Sequence, residues 1–125
     1  MNDELFKQEG YDLMGAAFEV YNEQGSHLSE EIYQASLEAE LTIREIHFDA
    51  QRRLDVFYKG VKLDPYFIPD LFVFDEIIVE LKAVKKLLPE HEAQLINYLA
   101  ITGKKVGYLI NFGNQGSLEW KRIVL

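Results

Sequence analysis

The sequence predicts a single α+β domain covering residues 1–125, with two helices, a β-hairpin region, a third helix and two final strands. Two observations carry this prediction. Residues 66–74 and 77–84 are rich in β-branched and aromatic side chains and are separated by a short acidic turn, Asp75-Glu76. Apolar residues at helical spacing lie on both sides of this pair of strands. A chain of 125 residues, 48% hydrophobic and 27% charged, has the length and composition of one folded domain.

The first two helices are predicted from their caps and apolar stripes. The first helix should end near Gln24, because Gly25 can adopt the left-handed conformation that closes a helix. The second should run from about Leu28 to Leu41, with Ser26 as its N-cap. The apolar stripe of the first helix consists of Met14, Ala17, Phe18 and Tyr21.

The third helix is predicted over residues 89–102, with Pro89 near its start and Gly103 past its end. Two stripes at helical spacing divide its surface. The apolar stripe consists of Ala93, Ile96, Leu99 and Ala100. The more polar stripe consists of His91, Gln94, Tyr98 and Ile101.

Extended patterns predict strands over residues 45–58, 61–74, 77–84, 106–112 and 118–124. Lys59-Gly60 is the turn signal between the first two of these strands. The first three are expected to form an antiparallel meander, so the predicted order of elements is ααβββαββ.

The hairpin is predicted to bring two acids and a lysine onto one face. If Val73 pairs with Ile77, the period of two sets Asp70 directly opposite Glu80 and puts Lys82 on the same face. Two facing like charges are destabilising unless they are neutralised, and a hard divalent cation would neutralise them. The alternative is that both acids are ordinary exposed residues, with Lys82 as an ion-pair partner.

The surroundings of these acids favour a functional site, because charged groups among apolar side chains need a partner. The same face of the hairpin also carries Ile68, Phe72, Phe74, Ile78 and Val84. On the second helix, Glu30 is predicted to share the buried face with Tyr33, Leu37 and Leu41. The alternative for Glu30 is a solvated first-turn acid that interacts with the helix dipole.

The composition excludes several classes of site. Without cysteine the chain has no disulfide, thiolate zinc site or cysteine nucleophile, so a metal ligand must be an oxygen or a histidine. The first residues are acidic and no apolar run follows them, and no stretch of about 18 apolar residues occurs. We therefore expect a cytoplasmic protein without a membrane segment.

The net charge of −8 is unevenly distributed along the chain. Residues 1–50 carry a net charge of −10, whereas residues 51–125 carry a net charge of +2. The second part contains basic pairs that could bind phosphate groups. They are Arg52-Arg53, Lys85-Lys86, Lys104-Lys105 and Lys121-Arg122.

Seven short segments form a recognisable series along nearly the whole chain. They are Gly15–Tyr21, Leu28–Tyr33, Tyr58–Gly60, Pro69–Leu71, Ile78–Val84, Glu92–Gln94 and Ile110–Gly113. This series resembles the GxxExxY protein family, which is assigned to the PD-(D/E)XK nuclease superfamily. One position departs from the family pattern, because His27 occupies the place of the glycine that opens the name motif. The motif therefore reads His27-x-x-Glu30-x-x-Tyr33 in this chain.

The resemblance implies a restriction-endonuclease-like αβββαβ core, with a mixed central sheet flanked by helices. It also implies hydrolysis of phosphodiester bonds in nucleic acid, in DNA rather than RNA, with Mg²⁺ or Mn²⁺ as the cofactor. The implied metal ligands are Glu30, Asp70, Glu80 and the carbonyl of Leu81. The implied catalytic residues are Asp70, Glu80 and Lys82, and the implied substrate contacts are Gln94 and Tyr98. In this scheme Lys82 orients the attacking water or helps to deprotonate it, and stabilises the charge of the phosphorane.

A function of a different class stays open, namely a nuclease-fold module that binds or regulates without catalysis, as a homodimer for example. The acidic first part and the small size of the chain favour this alternative. The retained set of Asp70, Glu80 and Lys82 favours the nuclease, because a decayed site would be expected to lose at least one of these costly charges.

Overall fold

The computed structural model describes residues 5–125, which form three helices and seven strands. The helices are α1 (Lys7–Gln24), α2 (Glu30–Ile43) and α3 (Pro89–Thr102). The strands are β1 (Phe48–Ala50), β2 (Leu54–Tyr58), β3 (Val61–Phe67), β4 (Leu71–Val73), β5 (Ile77–Lys82), β6 (Val106–Asn111) and β7 (Glu119–Val124). None of these helices has an apolar stretch that could cross a bilayer.

Five strands form one mixed sheet in the order β1-β4-β5-β6-β7. Only β5 and β6 are parallel neighbours, and α3 is the crossover between them. The remaining neighbours in this sheet are antiparallel. The predicted α+β class and the mixed sheet flanked by helices are confirmed.

The alternation of side chains along β5 creates two hydrophobic cores, one on each face of the sheet. Ile77, Val79 and Leu81 pack on the side of α1 and α2, where Tyr33 and Leu37 are fully buried. The second core, on the opposite face, includes Phe72, Ile78, Leu95, Tyr98, Leu99 and Leu109. The chain therefore encloses the sheet between α1 and α2 on one side and α3 on the other.

The predicted three-strand meander is wrong, because the strands that pair are not the ones expected. Residues 61–74 are not one strand, because β3 ends at Phe67 and β4 begins at Leu71. The buried Pro69 between them has no N–H to donate to a ladder. Likewise the expected strand over residues 45–58 is broken at Gln51, whose φ is 57°. As a result β2 and β3 form a separate hairpin, and β1 is the neighbour of β4.

The helix boundaries agree with the sequence except at the start of α2. Its N-cap is Ser29 and not Ser26, and the Ser29 Oγ accepts a hydrogen bond from the Ile32 N–H at 3.4 Å. At the end of α1, Gly25 has a φ of 73° and its N–H donates to the carbonyl of Tyr21, as expected of a closing glycine.

The apolar stripe predicted for α3 is also wrong in part. The buried residues of this helix are Leu95, Tyr98 and Leu99, whereas Ala93, Ile96 and Ala100 are exposed. Burying larger side chains removes more apolar surface from water, so the face with two leucines and a tyrosine lies against the sheet. The helix is therefore rotated relative to the prediction. Tyr98 belongs both to the buried face and to the polar stripe, so the polar stripe lies next to the end of β5.

A close approach of two backbone segments predicts the effect of one glycine substitution. A Cβ at Gly113 would lie 2.4 Å from both the N and O atoms of Val84. Gly113→Ala should therefore destabilise the protein by about 1–3 kcal/mol or more, as measured by urea denaturation.

Gly15→Ala is the matched control for this substitution. Its Cβ would meet only the Arg44 Nη1 atom, at 3.1 Å, and that atom ends a flexible side chain. Alanine also favours the helix interior by up to about 1 kcal/mol over glycine, so this variant should be neutral or stabilised. Equal free energies of unfolding for the two variants would contradict the close approach at Gly113.

Candidate metal centre

Asp70 and Glu80 face each other where β4 begins and β5 ends. The pairing of Val73 with Ile77 agrees with the prediction, and the ladder continues to Leu71 opposite Val79. One step further, the Asp70 N–H donates to the Glu80 Oε2 atom at 2.7 Å. In return the Leu81 N–H donates to the Asp70 Oδ2 atom at 2.7 Å. Each carboxylate is therefore held by the backbone of the opposing segment.

The position of Asp70 follows from the interruption of the strand at Pro69. Because β4 starts only at Leu71, the edge of β5 at Leu81 has no strand partner on that side. The Asp70 side chain accepts the hydrogen bond that a backbone carbonyl would otherwise accept there. An extended residue directs its C=O to the same side as its N–H, so the Leu81 carbonyl is directed to the side of Asp70.

The acid pair lies in a poorly hydrated environment. Glu80 is only 4% exposed, and burial followed by the charge of Asp70 raises its pKa from 4.5 to about 8. Burial also raises the pKa of Asp70, against the opposing hydrogen bond from Leu81 and the charge of Lys82. Two acids that both resist ionisation need a proton or a cation between them.

Side chains of α3 extend the site beyond the acid pair. The Lys82 Nζ donates to Gln94 Oε1 at 3.5 Å, and the Gln94 Nε2 donates to the Tyr98 hydroxyl at 3.0 Å. Burial, and then the charges of Glu80 and Asp70, raise the pKa of Tyr98 to about 12. The structure thus brings Lys82, Gln94 and Tyr98 together with the two acids.

Glu30 lies at the rim of this site. It is the first residue of α2, it is exposed, and it lines a cavity of about 250 Å³ together with Gln34, Gln51 and Asp70. Partial burial raises the pKa of its carboxyl, against the charge of Lys82. Within residues 5–125, no group of three or more His, Asp or Glu side chains is arranged to hold a metal ion. The ligand set of three acids therefore stays a prediction.

The donors that are present nevertheless fit a hard divalent cation. Asp70 and Glu80 supply carboxylate oxygens. Leu81 supplies a carbonyl on the same side of β5 as Asp70. Oxygen ligands of this kind are those preferred by Mg²⁺ and similar ions. Burial raises the pKa of both acids although the charge of Lys82 acts in the opposite direction, so Lys82 alone does not compensate the pair.

Two further residues belong to the site without having been predicted, and a third, His91, caps the nearby start of α3. The Gln34 Nε2 donates to the Asp70 carbonyl at 3.1 Å, and the Gln51 N–H donates to the same carbonyl at 3.2 Å. Gln34 follows Glu30 by four residues on α2, so helical spacing could have indicated it. Gln51 lies at the backbone kink after β1, for which the sequence has no signal. His91, one turn before Gln94, accepts the Leu88 N–H on its Nδ1 at 3.0 Å.

Most of the predicted basic pairs are engaged in ion pairs. Arg52 bonds to Asp49 and Asp75, and Arg53 bonds to Asp55. Further ion pairs join Lys104 to Glu76 and Lys121 to Glu92. Among the described residues, no salt bridge involves Lys85, Lys86 or Lys105. The basic pair after β5 is therefore not neutralised by an ion pair.

A model of the PD-(D/E)XK nuclease superfamily matches residues 7–123. The chain belongs to this superfamily. The letters of the superfamily name correspond to Pro69-Asp70 and to Glu80-Leu81-Lys82, the segments that meet at the acid pair. Members of this superfamily generally use divalent metals. The narrower resemblance to the GxxExxY family stays a prediction.

The fold of this PD-(D/E)XK protein is also that of a solved structure. The crystal structure of SSO0001 is similar to it, with a TM-score of 0.61 and 18% sequence identity. The likeness covers 75% of this chain and 48% of that one, so this chain spans about half the length of SSO0001. At this identity the likeness concerns the fold alone. No curated protein matches the chain.

The acid pair predicts an unusual pH dependence of stability in the metal-free protein. The pKa of Glu80 is higher in the folded state, about 8, than its usual 4.5, so the folded state holds more protons between these values. The free energy of unfolding should therefore fall as pH rises from about 5 to about 8, with a slope of up to about 1.4 kcal/mol per pH unit.

Urea denaturation in the presence of a chelator measures this slope. Glu80→Gln removes the titrating group and keeps the shape, so its slope should be smaller than that of the wild-type protein. The same pH dependence in both would show that the acid pair carries no raised pKa.

Proposed function

We propose that this chain is a divalent-metal-dependent nuclease that hydrolyses phosphodiester bonds of nucleic acid, with DNA as the preferred substrate. The observation that carries the proposal is the pair of facing carboxylates, the buried Glu80 and the half-buried Asp70, with Lys82 on the same strand face. Such a pair is electrostatically unfavourable by itself, and phosphodiester hydrolysis is a reaction in which a cation between two carboxylates is useful.

Mg²⁺ or Mn²⁺ would be held by Asp70, Glu80 and the Leu81 carbonyl, with Glu30 at the rim as the additional ligand. When bound, the cation supplies positive charge at the scissile phosphate and lowers the pKa of water. The two acids must be ionised to bind it, so the proton that Glu80 retains in the free protein has to leave. Cation binding should therefore become tighter as pH rises.

The substrate would be contacted by the side chains of Lys82, Gln94 and Tyr98. The carbonyl oxygen of Gln94 accepts from Lys82 and its amide nitrogen donates to Tyr98, which fixes the orientation of the amide. The Tyr98 hydroxyl accepts this bond, so its own proton is available to a phosphate oxygen. The Lys82 ammonium has three protons and no acceptor, so it can donate both to the attacking water and to a non-bridging oxygen. Preorganised donors of this kind stabilise the charge that develops on phosphate.

Cleavage of DNA by the purified protein should require Mg²⁺ or Mn²⁺ and should stop when a chelator is added. Glu80→Ala removes a metal ligand and Lys82→Ala removes a donor to the phosphate, so each should lower the rate by on the order of 10²–10⁴-fold. Single- and double-stranded DNA and RNA, assayed in parallel, would test the preference for DNA.

Lys105→Ala is the control for these rate measurements. Lys105 is exposed and precedes β6, at the opposite end of the sheet from Lys82, so its loss should leave the rate unchanged. Equal cleavage by the wild-type protein, Glu80→Ala and Lys82→Ala would overturn the proposal. The non-catalytic binding or regulatory module would then be the better description.

Thermal stability should report cation binding without any substrate. A ligand that binds only the folded state adds about 2.7 kcal/mol when its concentration is about 100-fold above Kd, so Mn²⁺ or Mg²⁺ should raise the Tm. Asp70→Asn removes one repelling charge and keeps an oxygen that can accept the Leu81 N–H. This variant should be as stable as the wild-type protein or more stable without metal, and it should lose the metal-induced rise. A full rise in Asp70→Asn, or none in the wild-type protein at millimolar Mn²⁺, would rule out a cation at this acid pair.

A further inference from the structure

A cavity of about 610 Å³ opens at the C-terminal ends of the parallel strands β5 and β6. We call it the strand-end cavity. Its walls are three short segments, residues 26–28 between α1 and α2, residues 83–85 after β5, and residues 113–115 after β6. The volume is in the usual range of ligand pockets, roughly 300–1,000 Å³. The position is also typical, because ligands of open α/β sheets bind beyond the carboxyl ends of the strands.

Two walls of the strand-end cavity are joined to the candidate metal centre by short stretches of chain. Lys85 follows Lys82 by three residues, and Leu28 precedes Glu30 by two. Three extended residues span at most about 11 Å. The Cα atoms of Lys82 and Lys85 are therefore at most about 11 Å apart, which places one wall of the cavity near the lysine of the candidate metal centre.

A fully buried asparagine fixes two walls of the cavity relative to each other. The Asn111 Nδ2 donates to the Val84 carbonyl at 2.8 Å, and its Oδ1 accepts from the N–H groups of Val84 and Gly113 at 2.9 and 3.0 Å. The wall after β5 and the wall after β6 are thus joined through one amide. Buried and satisfied polar groups of this kind restrict a backbone to a single arrangement.

Two tyrosines hold the remaining parts of the cavity wall. The Tyr33 hydroxyl donates to the Gly25 carbonyl and accepts the Leu28 N–H at 3.2 Å, while its ring stacks on Phe112 at 4.7 Å. The Tyr21 hydroxyl donates to the Asn114 carbonyl at 2.5 Å. The strand-end cavity is therefore preformed, and a ligand would not have to order its walls.

The side chains that line the cavity suit a nucleotide. Lys85 and His27 are exposed, and within residues 5–125 neither takes part in a salt bridge or a side-chain hydrogen bond. Lys85 can contact a phosphate, and the Gln115 amide can donate to and accept from a base edge. The Asn114 Oδ1 can accept as well, whereas its Nδ2 already donates to the carbonyl and the hydroxyl of Ser117.

We propose that the strand-end cavity binds one unpaired nucleotide of the nucleic-acid strand, adjacent to the phosphate at the candidate metal centre. This inference rests on the proposed nuclease function. A base that is paired and stacked within a duplex cannot enter a cavity, because it must first leave the stack. Single strands and duplex ends with overhangs are therefore the preferred substrates, and the interior of an intact duplex is disfavoured.

Binding of a short fluorescent single-stranded DNA, measured by anisotropy with a chelator present, tests the proposal without cleavage. Lys85→Ala should weaken binding and reduce the slope of log K against log salt by about 0.7, the loss of one phosphate contact on a single strand. Lys86→Ala is the matched control, because this exposed neighbour does not line the cavity and should keep the slope. His27→Gly should raise Kd by about 2- to 10-fold through the loss of one hydrogen bond.

A blunt duplex of the same sequence should bind more weakly, and equally to the wild-type protein and Lys85→Ala. Thermal melts of the variants establish that each is folded, which is expected because the exchanged side chains are exposed. An RNA oligonucleotide of the same sequence distinguishes the two kinds of strand. Equal loss of binding in Lys85→Ala and Lys86→Ala, or a blunt duplex that binds as tightly as the single strand, would overturn the assignment of the cavity.

The binding experiment and the cleavage assay can give different results, so the two proposals are tested independently. If Glu80→Ala abolishes cleavage while Lys85→Ala binds like Lys86→Ala, the nuclease stands and the cavity is not its nucleotide site. If Glu80→Ala cleaves like the wild-type protein while Lys85→Ala and His27→Gly lose binding, the cavity binds a strand and the nuclease proposal fails.

Discussion

The crossed hydrogen bonds between Asp70 and the end of β5 are the constraint on which the site depends. The Asp70 N–H bonds to the Glu80 carboxylate and the Leu81 N–H bonds to the Asp70 carboxylate, so neither acid can turn away from the other. The backbone pairing therefore keeps two mutually repelling acids close together in a poorly hydrated environment. A protein that only needed stability would gain from replacing this pair with apolar residues of similar size.

The rest of the fold supports this pair from both sides of the sheet. On one side α2 presents Gln34, which donates to the Asp70 carbonyl, and Glu30 at its first turn. On the other side α3 presents Gln94, which connects Lys82 with Tyr98. Beyond the end of β5, the buried Asn111 holds the next segment in place. The acid pair and the strand-end cavity therefore both lie at the carboxyl end of β5.

The register of the hairpin could be predicted because side-chain alternation and the short loop leave only one pairing that keeps the apolar residues inside. Predictions from the same alternation were wrong where the chain departs from extended geometry. Phe74 has a φ of 56° and packs in the first core, not in the second. Gln51 has a φ of 57° and breaks what reads as one strand. Neither residue is glycine, so the composition contains no signal for a left-handed backbone at these positions.

The sequence by itself determined the element types, the hairpin register and the identity of Asp70, Glu80 and Lys82 as one group, because these depend on local periodicity and on residues close in the chain. Tertiary structure alone decided which strand lies beside β4, which face of α3 is buried, and that Gln51 belongs to the site. It also decided that residues 26–28, 83–85 and 113–115 enclose one cavity. Those outcomes depend on contacts between residues far apart in sequence, where the chain minimises exposed apolar area over the whole molecule and not over one segment.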